Sequence, residues 1–137
     1  MQKVLQVLWE PFYREAMEAT EPNTMIRAGV IEDLPVLIDV QRNASLAGYP
    51  EQLRTLFRSQ PELIEQSFQK GWFAMDQVRV ATQGPLIVGF AVLERSGDGE
   101  AEMIALFVDP AYWRRGIGKA LVDAVAELAY RWGERRI

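Results

Sequence analysis

Residues 103–133 constrain this 137-residue chain more than any other stretch. Ile117, Ala120, Leu121, Ala124, Val125, Leu128, Ala129 and Trp132 recur at intervals of three and four, which makes one face of a helix apolar. Gly133 ends the pattern. Just ahead of it, residues 103–108 (Met-Ile-Ala-Leu-Phe-Val) read as a strand, and Asp109-Pro110 leads on to Arg114-Arg-Gly-Ile-Gly-Lys119. A strand that enters a glycine turn and leaves as an amphipathic helix belongs in a layered domain, because the apolar stripe must lie on a sheet.

The same turn carries chemistry. The first N–H groups of a helix lack backbone partners, and the macrodipole places about half a positive charge there. Gly116 and Gly118 let a phosphate approach the backbone, while Arg114, Arg115 and Lys119 add cations. The competing explanation is a glycine used only to turn tightly, with solvated basic residues around it. Two other phosphate motifs are excluded. A P-loop needs GxxxxGK and then Ser or Thr, but Trp113 and Ala120 occupy those places. A dinucleotide fingerprint needs a third glycine where Leu121 stands.

Upstream, residues 32–47 read as a helix, with Glu32, Asp33 and Pro35 at its start and Leu34, Leu37, Ile38 and Val40 at helical spacing. Residues 51–57 form a second helical piece. A third opens with Ser59, Pro61 and Glu62, a capping-box spacing, and closes at Lys70-Gly71. The period then changes. Residues 72–81 and 86–95 read as strands joined by a turn at Gln83-Gly84-Pro85, and 100–108 is a third strand. Gly89 marks a bulge in the second of these. Helices, then an antiparallel meander, then a closing helix give an α/β (α+β) domain.

Composition narrows the chemistry. With 49% apolar and 25% charged residues, the chain is expected to fold as one compact domain. It has no cysteine and no histidine, which removes disulfides, thiolate zinc sites and histidine-based triads. No metal is expected. No apolar run approaches the roughly 18 residues of a membrane span, so a cytoplasmic protein with no membrane partner is expected. Residues 1–110 hold nine basic and sixteen acidic groups, whereas residues 111–137 hold six basic and three acidic ones. An acidic body with one basic end suits a local anion site and not nucleic acid.

Residues 101–121, from Ala101-Glu102 through Val108-Asp109-Pro110 to Gly116-Ile117-Gly118, resemble the acetyl-CoA-binding motif of the GNAT superfamily of N-acyltransferases. The family pattern has Gln or Arg, two residues, Gly, one residue, then Gly or Ala; here Trp113 replaces the Gln or Arg. Met25-Ile-Arg-Ala28 is similar to the family's first strand, and Leu86-Ile-Val-Gly-Phe-Ala-Val-Leu93 to its third. The resemblance implies a mixed, mainly antiparallel central sheet with flanking helices. It implies acetyl-CoA as co-substrate and acyl transfer to a primary amine on a small molecule or a protein. It also implies that the turn's amides hold a pyrophosphate and that the preceding strand's backbone pairs with the pantetheine arm. Those roles fall on Phe107, Val108, Arg114, Arg115, Gly116, Ile117, Gly118 and Lys119.

Family members usually continue for roughly 30 residues past this helix, more than loop-length variation covers, so a C-terminally shortened fold is expected. The strand at 103–108 would then have an open edge, which a homodimer or another segment could cover. Residues 1–24 precede the family-like core at 25–137. They read as a strand at 3–8 and a helix from Pro11 to about residue 19. That piece is either the family's missing segment, permuted or exchanged between subunits, or an added surface element.

Direct acyl transfer needs a polarised carbonyl, a base for the ammonium proton and an acid for the thiolate. Without histidine the base is a carboxylate, acting directly or through water. Glu102 is the first candidate, at a position that resembles one used as base in some relatives; Glu94 and Glu100 are alternatives. Tyr13 is the acid if the N-terminal piece fills the missing place, with Tyr112 and Tyr49 as alternatives. Three functions therefore stand side by side: an N-acetyltransferase, a non-catalytic acyl-CoA-binding regulator, and an incomplete domain that assembles through its edge strand.

Overall fold

The computed structural model describes residues 23–48, 74–95 and 99–133, together with Gln66, Gln69 and Lys70. The expected strand at 3–8, the helix after Pro11, Tyr13, Tyr49 and the helical piece at 51–57 lie outside the described residues. So does most of the piece opening at Ser59.

Four strands form one sheet in the order β1-β2-β3-β4: β1 (Thr24–Ala28), β2 (Val78–Gln83), β3 (Leu86–Arg95) and β4 (Ala101–Val108). Every neighbouring pair is antiparallel. Two α-helices complete the described fold, α1 (Leu34–Gly48) and α2 (Ile117–Arg131). The expected mixed α/β architecture is what the chain adopts.

The helices cover opposite faces of the sheet. On one face, α1 sets Leu37 and Val40 against Val78, Val80, Phe90 and Val92. On the other, the stripe of α2 sets Ile117, Leu121, Val125, Leu128 and Ala129 against Ala81, Val88, Ala91, Leu93 and Ala101. β3 therefore alternates between two buried faces and reads as a nearly continuous apolar run. Fully burying a side chain such as Leu121 contributes about 2 kcal/mol.

Two bulges flank β3. Ala81 pairs with Gly89 but Thr82 pairs with Ile87, which leaves Val88 as the extra residue. Val92 pairs with Ala105 and Leu93 with Met103, which leaves Ile104 extra on β4. The bulge expected at Gly89 is thus centred on its neighbour. Gly89 itself answers to packing. A Cβ there would lie 3.0 Å from the Phe107 carbonyl oxygen, 3.2 Å from Leu121 Cδ1 and 3.3 Å from Val108 Cγ2.

Two boundaries differ from the sequence reading. β2 begins at Val78 and not at residue 72, because Met75–Gln77 is a short 3-10 turn. The Gln77 side chain holds that turn: its Oε1 accepts from Ala74 N at 2.8 Å and its Nε2 donates to the Leu93 carbonyl at 2.9 Å. The first helix is preceded by a 3-10 turn at Ile31–Asp33. There Arg27 grips both oxygens of Asp33 at 2.7 and 2.9 Å, and Val30 N donates to Oδ2 at 2.9 Å. At the far end of α2, Arg95 Nη2 donates to the Trp132 carbonyl at 2.8 Å, with its guanidinium 4.8 Å from the Trp132 ring centroid.

Candidate functional site

The link from β4 to α2 is bonded to itself residue by residue. Asp109 N donates to the Val88 carbonyl at 2.8 Å and fixes the strand end on β3. The Asp109 carboxylate accepts from Ala111 N at 3.0 Å and starts a 3-10 turn at Pro110–Tyr112. Its other oxygen lies 3.5 Å from Asn43 Nδ2, which ties α1 to the turn. Trp113 N then donates to the Pro110 carbonyl, and the Trp113 indole Nε1 donates to the Val108 carbonyl at 2.6 Å.

Beyond this loop the backbone turns left-handed twice, at Arg114 (φ +65°) and at Gly116 (φ +81°). Gly116 is the N-cap of α2, and no side chain caps that end. A left-handed conformation costs a residue with a Cβ roughly 1–2 kcal/mol, so Arg114 is strained where Gly116 is not. Turns of this kind aim successive N–H groups into one concavity, and the α2 dipole adds to its positive potential. The arrangement suits an anion.

Gly118 adds a separate observation. A Cβ at that position would meet nothing within 4 Å, and its φ is not in the left-handed range. Neither packing nor conformation among the described residues calls for glycine there.

Among the expected cofactor residues, Arg114 and Arg115 are exposed in this turn. The Arg115 guanidinium lies 5.2 Å from the Tyr112 ring centroid. Lys119 Nζ reaches along the helix to Asp123 at 2.7 Å. The side chain of Ile117 is buried in the core against the sheet. Phe107 packs toward α1, 5.5 Å from the Phe90 ring, and Val108 packs toward α2. Both side chains are partly buried by these contacts. Because Asp109 N turns toward β3, alternation sends the N–H and C=O groups of Val108 and Leu106 to the outer edge of β4, where no described strand pairs.

Glu102 lies at the other end of β4, about 20 Å from Val108 at roughly 3.4 Å per residue. Its cross-strand partner is Glu94. Tyr13 lies outside the described residues. Among the described residues, no group of three acidic, histidine or cysteine side chains could hold a metal ion. None of the described helices is long and apolar enough to cross a membrane.

The family model for the GNAT acetyltransferases matches residues 2–137. The chain belongs to the GNAT acetyltransferase family. Solved structures similar to this GNAT chain include the PaiA N-acetyltransferase of Thermoplasma acidophilum in complex with coenzyme A, at 22% identity and TM-score 0.61 over 81% of this chain. Another is the ribosomal-protein-S18-alanine N-acetyltransferase of Escherichia coli, at 21% identity and TM-score 0.58 over 81% of this chain. A third, from Pyrococcus horikoshii, is 21% identical with TM-score 0.63 over 80% of this chain. These likenesses are of fold. The chain spans 74%, 62% and 36% of those three proteins, respectively. No curated protein matches it by sequence.

Sequence reasoning located the GNAT turn but missed what holds it. The Asp-Pro pair was a readable signal for the side-chain turn at Asp109. The Asn43 contact and the indole bond join residues through the folded chain, and no local pattern announces them.

Proposed function

We propose that this GNAT chain is an acetyl-CoA-dependent N-acetyltransferase whose anion site is the turn at residues 114–119. Gly118 carries the reading, since the open space over it is explained by a group that approaches the backbone from outside. Family membership and the coenzyme A bound in the Thermoplasma acidophilum relative support the choice of ligand. The pyrophosphate would accept from the amides after Gly116, with Arg114 and Arg115 as counter-charges. The pantetheine arm would run along the outer edge of β4 and pair with the Val108 N–H and the Leu106 backbone, the Val108 carbonyl being taken by the Trp113 indole.

The acceptor is a primary amine of a small molecule or a protein. Its nitrogen lone pair attacks the thioester carbonyl carbon; the C–N bond forms, the C–S bond breaks, and the sulfur leaves as thiolate. Glu102 takes the ammonium proton, directly or through water, and Tyr13 returns a proton to the sulfur. The roughly 20 Å from Val108 to Glu102 leaves room for an extended substrate along β4.

Gly118→Val tests the reading, since the family pattern accepts alanine at this position but not a β-branched side chain. Valine is also a slightly better helix former than glycine, so the variant should melt no lower than wild type. Acetyl-CoA affinity by calorimetry should fall at least about tenfold, because the amides act only at hydrogen-bond distance. Unchanged affinity would remove the turn from the proposal. Thiol release with an amine panel then separates an enzyme from a binder.

A further inference from the structure

We infer that Trp113 is the positioning residue of the anion turn, and that its indole N–H keeps Arg114 in the left-handed conformation that aims the turn's amides. The inference rests on the acyl-CoA reading and goes beyond it, because it assigns a role to the one motif position where this chain departs from its family's pattern. Trp113 is more than one-third exposed, so burial alone does not account for an indole at this place. Its Nε1–H meets the Val108 carbonyl at 2.6 Å and closes the loop from the end of β4 to the residue before Arg114.

The strained residue is the very next one. Arg114 has φ +65° and carries a Cβ, so its conformation persists only where the structure on both sides over-determines it. On the C-terminal side, Gly116 and the first turn of α2 are fixed by core packing of Ile117 and Leu121. On the N-terminal side, the backbone bonds Tyr112 N to the Asp109 carbonyl and Trp113 N to the Pro110 carbonyl hold the 3-10 turn. The indole bond ties the end of that turn back to the strand. Without it, Arg114 can relax to negative φ by rotating the peptides on either side, and the amides no longer converge.

The strain also dictates the signature. If Trp113 works by holding Arg114 left-handed, its value should vanish when residue 114 adopts that conformation freely. Glycine does. The experiment is a double-mutant cycle of W113F, which keeps an aromatic ring and deletes the donor, with R114G. Acetyl-CoA affinity is read by calorimetry, KM and kcat by thiol release, and the φ of residue 114 by NMR couplings.

The expected result has three parts. W113F weakens acetyl-CoA binding about tenfold and raises KM with kcat held. Residue 114 loses its positive φ. The same W113F change costs less than about twofold in the R114G background. Equal losses in both backgrounds, or a positive φ retained at Arg114 in W113F, would overturn the inference. A wild type that binds no acetyl-CoA would overturn the acyl-CoA reading instead; the φ of residue 114 in W113F still decides whether the indole holds the turn.

Discussion

Glu94 on β3 and Glu102 on β4 are direct cross-strand partners, so their two carboxylates stand on one face of the sheet. Directly opposite Cβ atoms lie about 5 Å apart in such a pair, and like charges there are destabilising. Neither glutamate forms a hydrogen bond or ion pair with a described residue. Neutralising either should therefore raise stability, by about 0.5 kcal/mol. The two differ in turnover. Glu102→Gln should slow thiol release at saturating acetyl-CoA, while Glu94→Gln should leave it within about twofold. Urea midpoints and steady-state rates on both variants decide the matter, and the reverse pattern of rates would move the base to Glu94.

Asp33 sets an acid limit on the fold. The hydrogen bonds from Arg27, opposed by burial and aided by the Val30 N–H and the Arg27 charge, hold its carboxyl below the usual carboxylate range. A folded value below the unfolded one of about 3.9 means the contribution is complete above that value and fades as pH falls through the lower folded one. Arg27 is half exposed, so the pair contributes only about 1–2 kcal/mol. Asp33→Asn should lower the neutral-pH melting temperature and flatten its fall between about pH 5 and about pH 2. A variant with the wild-type acid limb would show that other carboxylates govern it.

Gly89→Ala should destabilise by about 1–3 kcal/mol, the range for overpacking a site whose neighbours cannot withdraw. The nearest contact is the Phe107 carbonyl oxygen at 3.0 Å, which is backbone, and moving it shifts the strand that leads to the glycine turn. Chemical denaturation measures the loss. A stability equal to wild type would mean that β4 can separate from β3 at little cost.

Much of this was legible in the chain itself because it is periodic. The stripe from Ile117 to Trp132 and the two-faced run of β3 each repeat a spacing that only one kind of element satisfies. The glycine turn was legible for the same reason, since Gly116 and Gly118 stand at the start of that stripe. What escaped were features built by single side chains acting across the fold. Gln77 shortens β2 by bonding to Leu93, and Trp113 closes the loop by bonding to Val108. Nothing in the local spacing of glutamine or tryptophan encodes a partner that is sixteen residues away or a carbonyl at a strand end.

α2 is fastened at both ends. At its start the Trp113 indole joins the loop to β4, and just past its last turn the Trp132 carbonyl is held by Arg95 on β3. A helix so anchored frays less at its ends, and its internally bonded amides exchange with solvent mainly when it lifts off the sheet as a unit. Its fifteen residues span about 22 Å, so an anion bound at the first turn would slow deuterium uptake over that whole length. Occupancy of the turn would then be read from the amide of Trp132, at the opposite end of the helix.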